Sequence, residues 1–470
     1  MNEAKILFEP NTVVLIGSSK IKQEVGMSSP RLFNNVTCNM RKFFKGTTYV
    51  LDVEEKEGYK IFENLPETPD LAVMMLPPDP SLRQAEECAR NGVKAIVAIT
   101  GGYNRQQRQR LAKLRGDYGI RILGPNTIMG VINTTNGLNT TFEKDLMPAK
   151  GDVSVIAQSG GVGACILDWA CFHGIGISKS AFTGDKIDVD DVEILQYFSE
   201  DPETRVISLY LEGIGNGREF VQTAREIVKK KPILALKGGV TEEAAQRAVS
   251  HTASIAGSDA VFDAAFRKAG IIRLKDVEEL LNATTALARQ PPLEGDNVAI
   301  VSNVGGPAIL AADAIIKNGL KLAQLSQETK RKVERRYLGV DAINPIDLIA
   351  DARAERYSFV LDRVLSDTNV DGVMVINMLK SCFFEPEDAR AVVEASKKHP
   401  DKPVVDVPGG GEDFSLVYKV LRGTNVPVYN LPEKAATVLR VLRAYSRIRA
   451  TTRRKTSPKC ANARGREKKE

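Results

Sequence analysis

Two stretches of this chain carry a short apolar strand pattern into a glycine-rich turn and straight on into a helical pattern, and that repeat restricts the fold more than any other feature. The first is Val153-Ser154-Val155-Ile156-Ala157, then Gln158-Ser159-Gly160-Gly161-Val162-Gly163, then Ala164 to His173. The second is Asn297 to Asn303, then Gly305-Gly306-Pro307, then Ala308 to Asn318. A short apolar run closed by glycines reads as a strand buried on both faces. A helix after it supplies the crossover to a parallel neighbour. Thr12-Val13-Val14-Leu15-Ile16 is a further run of this kind, and it ends at Gly17-Ser18-Ser19.

The same alternation continues between these landmarks. Strand-like runs recur at Thr48 to Asp52, Leu71 to Leu76, Ala95 to Thr100 and Arg121 to Leu123, with helical patterns at Pro80 to Asn91 and Arg105 to Tyr118. Val206 to Leu211, Ile233 to Lys237, Val370 to Asn377 and Pro403 to Val407 extend it. The expected fold class is α/β: an N-terminal Rossmann-like domain over 1–147, then two flavodoxin-like domains over 151–290 and 293–445. Gln290-Pro291-Pro292 is the linker between the last two. Ligands of such sheets sit at the carboxyl ends of strands. In the first domain those ends are Gly17-Ser18-Ser19, Pro77-Pro78, Thr100-Gly101-Gly102 and Gly124-Pro125-Asn126, all small, polar or turn-forming. The glycine after Gly17 is Gly26, so the dinucleotide fingerprint G-x-G-x-x-G is absent and a nicotinamide cofactor is disfavoured, although Asp52 ends the second strand. No Gly-Lys-Ser/Thr follows the Gly160 turn, which excludes a Walker A loop.

Charge and cysteines narrow the setting. The net charge of +6 comes from one end, where Arg447 to Glu470 carry ten Lys/Arg against two Asp/Glu. Residues 446–470 have few apolar side chains and are expected to be a disordered basic tail. A solvated end is favoured there over a nucleic-acid contact. Six cysteines are scattered with no C-x-x-C pair, which argues for free thiols in a reducing cytoplasm and against a metal site. No apolar run approaches the ~20 residues of a membrane helix, and the N-terminus has no basic segment leading into an apolar signal core.

His251, one of three histidines, lies in Ser250-His251-Thr252-Ala253-Ser254-Ile255-Ala256-Gly257-Ser258-Asp259. Small neighbours leave an imidazole uncovered. A helical pattern follows from Asp259 to Lys268, and a helix start offers N–H donors and a positive dipole end to an anion. That suits a phosphoryl group carried on the ring, whereas a histidine that simply caps a turn is the plainer reading. Glycines at Gly160 and Gly161 likewise let backbone N–H groups converge on an anion.

The His251 run resembles the phosphohistidine loop of NDP-forming acyl-CoA synthetases. Gln158-Ser159-Gly160, Gly124-Pro125-Asn126, Leu209-Tyr210-Leu211-Glu212-Gly213 and Asn344-Pro345-Ile346-Asp347-Leu348 match that family in the same order, over residues 6–445. The first two domains also resemble the α subunit of succinyl-CoA synthetase. The resemblance implies a CoA-binding domain first and a ligase domain carrying His251 second. Inorganic phosphate then converts an acyl-CoA to an acyl phosphate, and the phosphoryl group passes to His251 and on to ADP with Mg²⁺. It further implies that Glu212 accepts the Nδ1 proton of His251, and that Gln158, Ser159, Gly160 and Gly161 hold phosphate through backbone N–H groups. Gly17, Ser18, Ser19, Pro77, Thr100, Gly101 and Asn126 would hold CoA.

Three departures from the family pattern stand out. Ala253 replaces a usual glycine, Thr127 replaces a frequent cysteine, and Leu51-Asp52-Val53-Glu54-Glu55-Lys56 replaces an Asn-Pro-Lys strand end, setting carboxylates where CoA phosphates are expected. No ATP-grasp segment is visible, so the ADP/ATP site is expected on a separate β subunit, in an α2β2 assembly. The alternative reading is a non-catalytic, regulatory CoA-binding protein on the same scaffold.

Overall fold

β1 (Thr12–Gly17), β2 (Thr47–Asp52), β3 (Leu71–Met74), β4 (Ala95–Ala98) and β5 (Arg121–Leu123) form a parallel sheet in the order β2-β1-β3-β4-β5. The computed structural model describes residues 2–21, 27–53, 65–245, 258–381 and 383–456. Its contacts divide the chain into two units, Met1–Lys275 and Asp276–Glu470. All residues of β3 and β4 are buried, as expected where helices cover both faces. Leu82, Ala85 and Cys88 of the Pro78–Arg90 helix and Leu111 and Leu114 of the Arg105–Tyr118 helix pack on Val14, Ile16, Ala72, Met74 and Ile96.

The second sheet of the first unit has seven strands: β6 (Val131–Asn133), β7 (Leu138–Asn139), β8 (Lys150–Ala157), β9 (Ile177–Phe182), β10 (Val206–Leu211), β11 (Ile233–Lys237) and β12 (Ile272–Leu274). Their order is β12-β11-β10-β8-β9-β6-β7. The β6–β7 hairpin runs antiparallel to β9, and the rest is parallel. β9 was not legible in the sequence. Its Ile-Ser-Lys-Ser-Ala-Phe is fully buried, and Lys179 is neutralised inside by Asp201 at 2.8 Å and Glu203 at 3.2 Å. A buried cation held by two carboxylates breaks the apolar pattern without breaking the strand. Strand order reverses between β1 and β3 in the first sheet and between β8 and β10 in the second. Such reversals open a crevice at the carboxyl ends.

In the second unit β13 (Asn297–Ser302), β14 (Lys321–Leu322), β15 (Ile346–Asp347), β16 (Gly372–Asn377) and β17 (Val404–Pro408) form a third parallel sheet. β14 and β15 pair with the two ends of one edge of β13. Asn344 stitches the gap, accepting the Ile300 N–H at 2.9 Å and donating to the Val298 and Ala323 carbonyls. That is the structural work of the Asn344-Pro345 motif.

The expectation that order ends at residue 445 is corrected. The last helix runs from Pro432 to Thr456. Beyond Tyr445 it is pinned by Ser446 to Glu294 at 2.8 Å and by Arg447 to Asp296 at 2.8 Å, with Arg443 also on Asp296. The basic residues that suggested disorder are good helix formers once such acids meet them. Residues 457–470 lie outside the described residues. Among the described residues no helix is long and apolar enough to cross a membrane.

Candidate active site

The turn at 124–128 is the piece on which the first unit's two sheets meet. Gly124-Pro125 is cis, and Asn126 and Ile128 are left-handed at φ +64° and +58°. Three N–H bonds hang the turn on the carboxyl end of β4: Asn126 to Thr100 at 3.0 Å, Thr127 to Ala98 at 3.4 Å and Ile128 to Ile99 at 3.1 Å. From the other side, Asp185 N–H donates to Pro125 O at 2.9 Å and Ile187 N–H to Gly124 O at 3.2 Å. The Gly160 backbone also abuts it, since a Cβ there would lie 3.0 Å from the Ile128 Cβ.

The residues expected to hold CoA lie at the carboxyl ends of β1, β3, β4 and β5, and the Ser19 and Thr100 hydroxyls there already donate to protein acceptors. Ser18 is buried and its Oγ accepts the Lys20 N–H. Ser19 gives both its N–H and its hydroxyl to Asp52, the residue opposite Gly17 in the β1–β2 register. Thr100 Oγ1 donates to Leu76 O at 2.7 Å. Asp52 therefore ties Ser19 to the end of β2, and the Ser19 and Thr100 hydroxyls are spent on protein acceptors. Gly17 is required by packing, because a Cβ would stand 2.2 Å from the Phe33 ring. Gly101 lies under the Asn126 amide, 2.6 Å from where its own Cβ would be. The Pro77 carbonyl accepts the Ser81 N–H, starting the next helix.

At the β8/β10 reversal the chain places Gln158 and Glu212 side by side. Gln158 was expected to offer its backbone N–H to phosphate; instead that N–H donates to Tyr210 O at 3.0 Å, continuing the β8–β10 ladder. Its side chain does the work. Oε1 accepts the N–H of Glu212 at 2.8 Å and of Gly213 at 3.0 Å. Accepting two N–H groups fixes the amide orientation and leaves Nε2 buried with no partner among the described residues. The helix that follows begins at Gly160, four residues before the start at Ala164 read from the sequence, because Ser159 caps it and accepts the Val162 N–H at 3.5 Å. Gly160 and Gly161 thus occupy the first turn, where N–H groups have no intrahelical acceptor. Gly163 lets the helix approach β9, since a Cβ would fall 2.0 Å from the Phe182 ring.

Glu212 is 8% exposed and its Oε1 accepts the Tyr210 hydroxyl at 3.3 Å. Burial, then the Glu212 carboxylate, push the Tyr210 phenol up to about 12, so it remains a donor. Lys237 ends β11 beside it. Its Nζ donates to the Gly238 and Gly239 carbonyls and stands 4.7 Å over the Phe262 ring, and burial lowers its pKa. Lys237 and Tyr210 were not singled out from the sequence; the usable signal was a polar residue at the inner end of an otherwise apolar strand. His251 falls outside the described residues. The segment that holds it is bracketed by β11 and by a helix at Asp259–Ala269, as expected from the sequence.

Comparison with known proteins follows the same division. Residues 13–133 match the family model described as CoA binding domain, and residues 150–287 match succinyl-CoA ligase like flavodoxin domain. The α subunit of acetate–CoA ligase [ADP-forming] II of Pyrococcus furiosus is 34% identical over 444 residues, covering 91% of this chain and 95% of its own. Acetate–CoA ligase [ADP-forming] I of Archaeoglobus fulgidus is 33% identical over 95% of this chain, but the match spans 64% of that longer protein. A solved structure titled dinucleotide forming acetyl-coenzyme A synthetase 1 of Ca. Korarchaeum cryptofilum, in complex with phosphate and ADP, superposes with a TM-score of 0.87. It is 31% identical, and the match covers 97% of this chain and all of that one.

Proposed function

This chain belongs to the α subunits of ADP-forming acetate–CoA ligases, and from that premise we propose that it binds acyl-CoA across its first sheet and relays phosphate through His251. The observation that carries the reading is the β8/β10 crevice. There Gln158 Nε2, a buried amide donor without a partner among the described residues, lies two residues before a helix start whose first-turn N–H groups at Gly160 and Gly161 have no intrahelical acceptor. An anion completes both.

The reaction divides into two transfers. A phosphate oxygen attacks the thioester carbonyl carbon, the C–S bond breaks, and CoA leaves as a thiolate that takes up a proton. The acyl phosphate then gives its phosphoryl group to Nε2 of His251, releasing the carboxylate. Charge spread over the phosphoryl oxygens in both steps is met by fixed donors: Gln158 Nε2, the Gly160 and Gly161 N–H groups and the helix dipole. Glu212 takes the Nδ1–H of His251, which aims Nε2 at phosphorus and stabilises the imidazolium. Tyr210, protonated up to about pH 12, keeps the Glu212 carboxylate oriented. CoA lies over Gly17, Pro77, Gly101 and Asn126, with its thiol end at the 124–128 turn, between the two sheets.

The ADP/ATP site, with Mg²⁺, belongs to an ATP-grasp β subunit in an α2β2 assembly, and the partner receives the phosphoryl group. The regulatory alternative has no comparable support, since relatives matching nine-tenths of the chain are named as ligases.

Glu212→Gln lowers the rate of His251 phosphorylation by acetyl phosphate at least ~10-fold, about 1.4 kcal/mol of transition-state stabilisation. Rapid-quench labelling reads this directly, and an unchanged rate removes Glu212 from the mechanism. Equilibrium binding separates the cofactor classes. CoA binds and NAD does not; tight NAD binding without CoA binding would sink the reading.

A further inference from the structure

Between β9 and the helix at Asp191–Glu200 runs a strap, residues 183–190, whose neighbouring residues hold opposite sides of the site. Asp185 faces the first sheet. Its N–H reaches Pro125 O at 2.9 Å, its carboxylate accepts the Asn126 amide at 3.4 Å, and Arg108 pairs with it at 3.1 Å. Lys186 faces the second sheet. Its Nζ donates to Gly213 O at 2.8 Å and to Asp191 at 2.7 Å, and its side chain is only 10% exposed. The backbone switch between them is imposed. Lys186 is left-handed at φ +51°, a conformation that a non-glycine residue adopts only when its surroundings hold it there. Gly184 before it has φ +55° and no room for a Cβ, which would stand 2.3 Å from Pro125 O.

Resting on the phosphoryl relay proposed above, we propose that Lys186 is a positioning residue for Glu212, and that the strap registers the thioester end of the CoA crevice with the catalytic turn. The Glu212-Gly213 turn is gripped at both ends. Gln158 takes its two N–H groups and Lys186 its outgoing carbonyl. These bonds fix the backbone that carries the Glu212 carboxylate. Asp191 neutralises the buried ammonium, and its other oxygen accepts the Thr183 hydroxyl at 3.5 Å, which ties the strap's two ends together. A misplacement near 1 Å at a reacting group costs on the order of 10²-fold in rate, and losing the Gly213 tether allows one.

The test is single-turnover phosphorylation of the full chain with its β subunit by labelled acetyl phosphate, for wild type, Lys186→Met, Lys186→Arg and the pair Lys186→Met/Asp191→Asn. Lys186→Met should lower the saturating rate about 10²-fold and leave the CoA dissociation constant within about twofold. Lys186→Arg, which still donates to Gly213, should recover most of the rate. The double variant removes both buried charges together, so it keeps the fold and should remain as slow as Lys186→Met. A Lys186→Met or double variant that labels at the wild-type rate overturns the proposal. So does a loss confined to the half-saturating acetyl phosphate concentration. Failure of the wild type itself to label overturns the relay and the inference with it, so the two failures are distinguishable.

Discussion

His251→Asn abolishes turnover in both directions, by on the order of 10³-fold or more, while CoA binding to the first sheet is unchanged. None of the described side chains at the carboxyl ends of β8, β10 and β11 can replace an imidazole as phosphoryl carrier. The side chains gathered at the carboxyl ends of β8, β10 and β11 are an amide, a carboxylate, a phenol and an ammonium. The carboxylate is already bonded to Tyr210, and Lys237 is bonded to two backbone carbonyls. The Gly238 N–H donates to Leu211 O at 2.9 Å, so the segment leading to His251 departs from beside Glu212. Acetyl-CoA-dependent ATP formation by the α–β complex is the assay. A residual rate above a tenth of wild type removes His251 from the relay.

The other large effect lies in the second unit and concerns stability. Asp406, on β17, is fully buried. One oxygen accepts the Asn377 amide at 2.7 Å, and the other has no partner among the described residues. Burial lifts its pKa from 3.8 to about 7 against the opposing Asn377 bond. The folded protein therefore keeps a proton that the unfolded chain gives up as pH rises above about 4. Stability falls as pH rises from about 4 to about 7, and by pH 8 this group has cost roughly 4 kcal/mol, at 1.36 kcal/mol per pKa unit. Asp406→Asn is neutral at every pH and abolishes that slope. At pH 8 the variant's second unit is the more stable by a few kcal/mol, and at pH 4 it has no such advantage. Denaturant titrations at both pH values read the difference, and parallel pH profiles for the two proteins contradict the assignment.

Much of the fold was legible because β1, β8 and β13 each carry a mostly apolar run that leads within a few residues to glycine. Such runs have few alternatives in a chain of this length. β9 was illegible for the opposite reason. Its Lys179 becomes acceptable in a buried strand only through Asp201 and Glu203, more than twenty residues away. The last helix was cut short at Tyr445 by a composition that reads as solvated, whereas Glu294 and Asp296, distant in sequence, hold it.

At the site, motifs named the residues but not their tasks. Gln158 was visible in Gln-Ser-Gly, yet only the β8–β10 register reveals that its N–H is spent and its side chain clamps Glu212. Asp52 looked like a repulsive neighbour for CoA phosphates, and it turns out to hold Ser19. Lys186 stood in an unremarkable Gly-Asp-Lys run, because a left-handed backbone and a carbonyl 27 residues away leave no local pattern.

The central claim is a covalent phosphoryl group on His251, and the most direct measurement counts it. Labelled acetyl phosphate is added to the chain together with its β subunit and Mg²⁺, excess reagent is removed, and label is quantified before and after ADP. The account predicts acid-labile, alkali-stable label that is absent from His251→Asn and passes to ADP on addition. Wild-type protein that binds CoA yet takes up no label, or a His251→Asn variant that labels as fully as wild type, contradicts it.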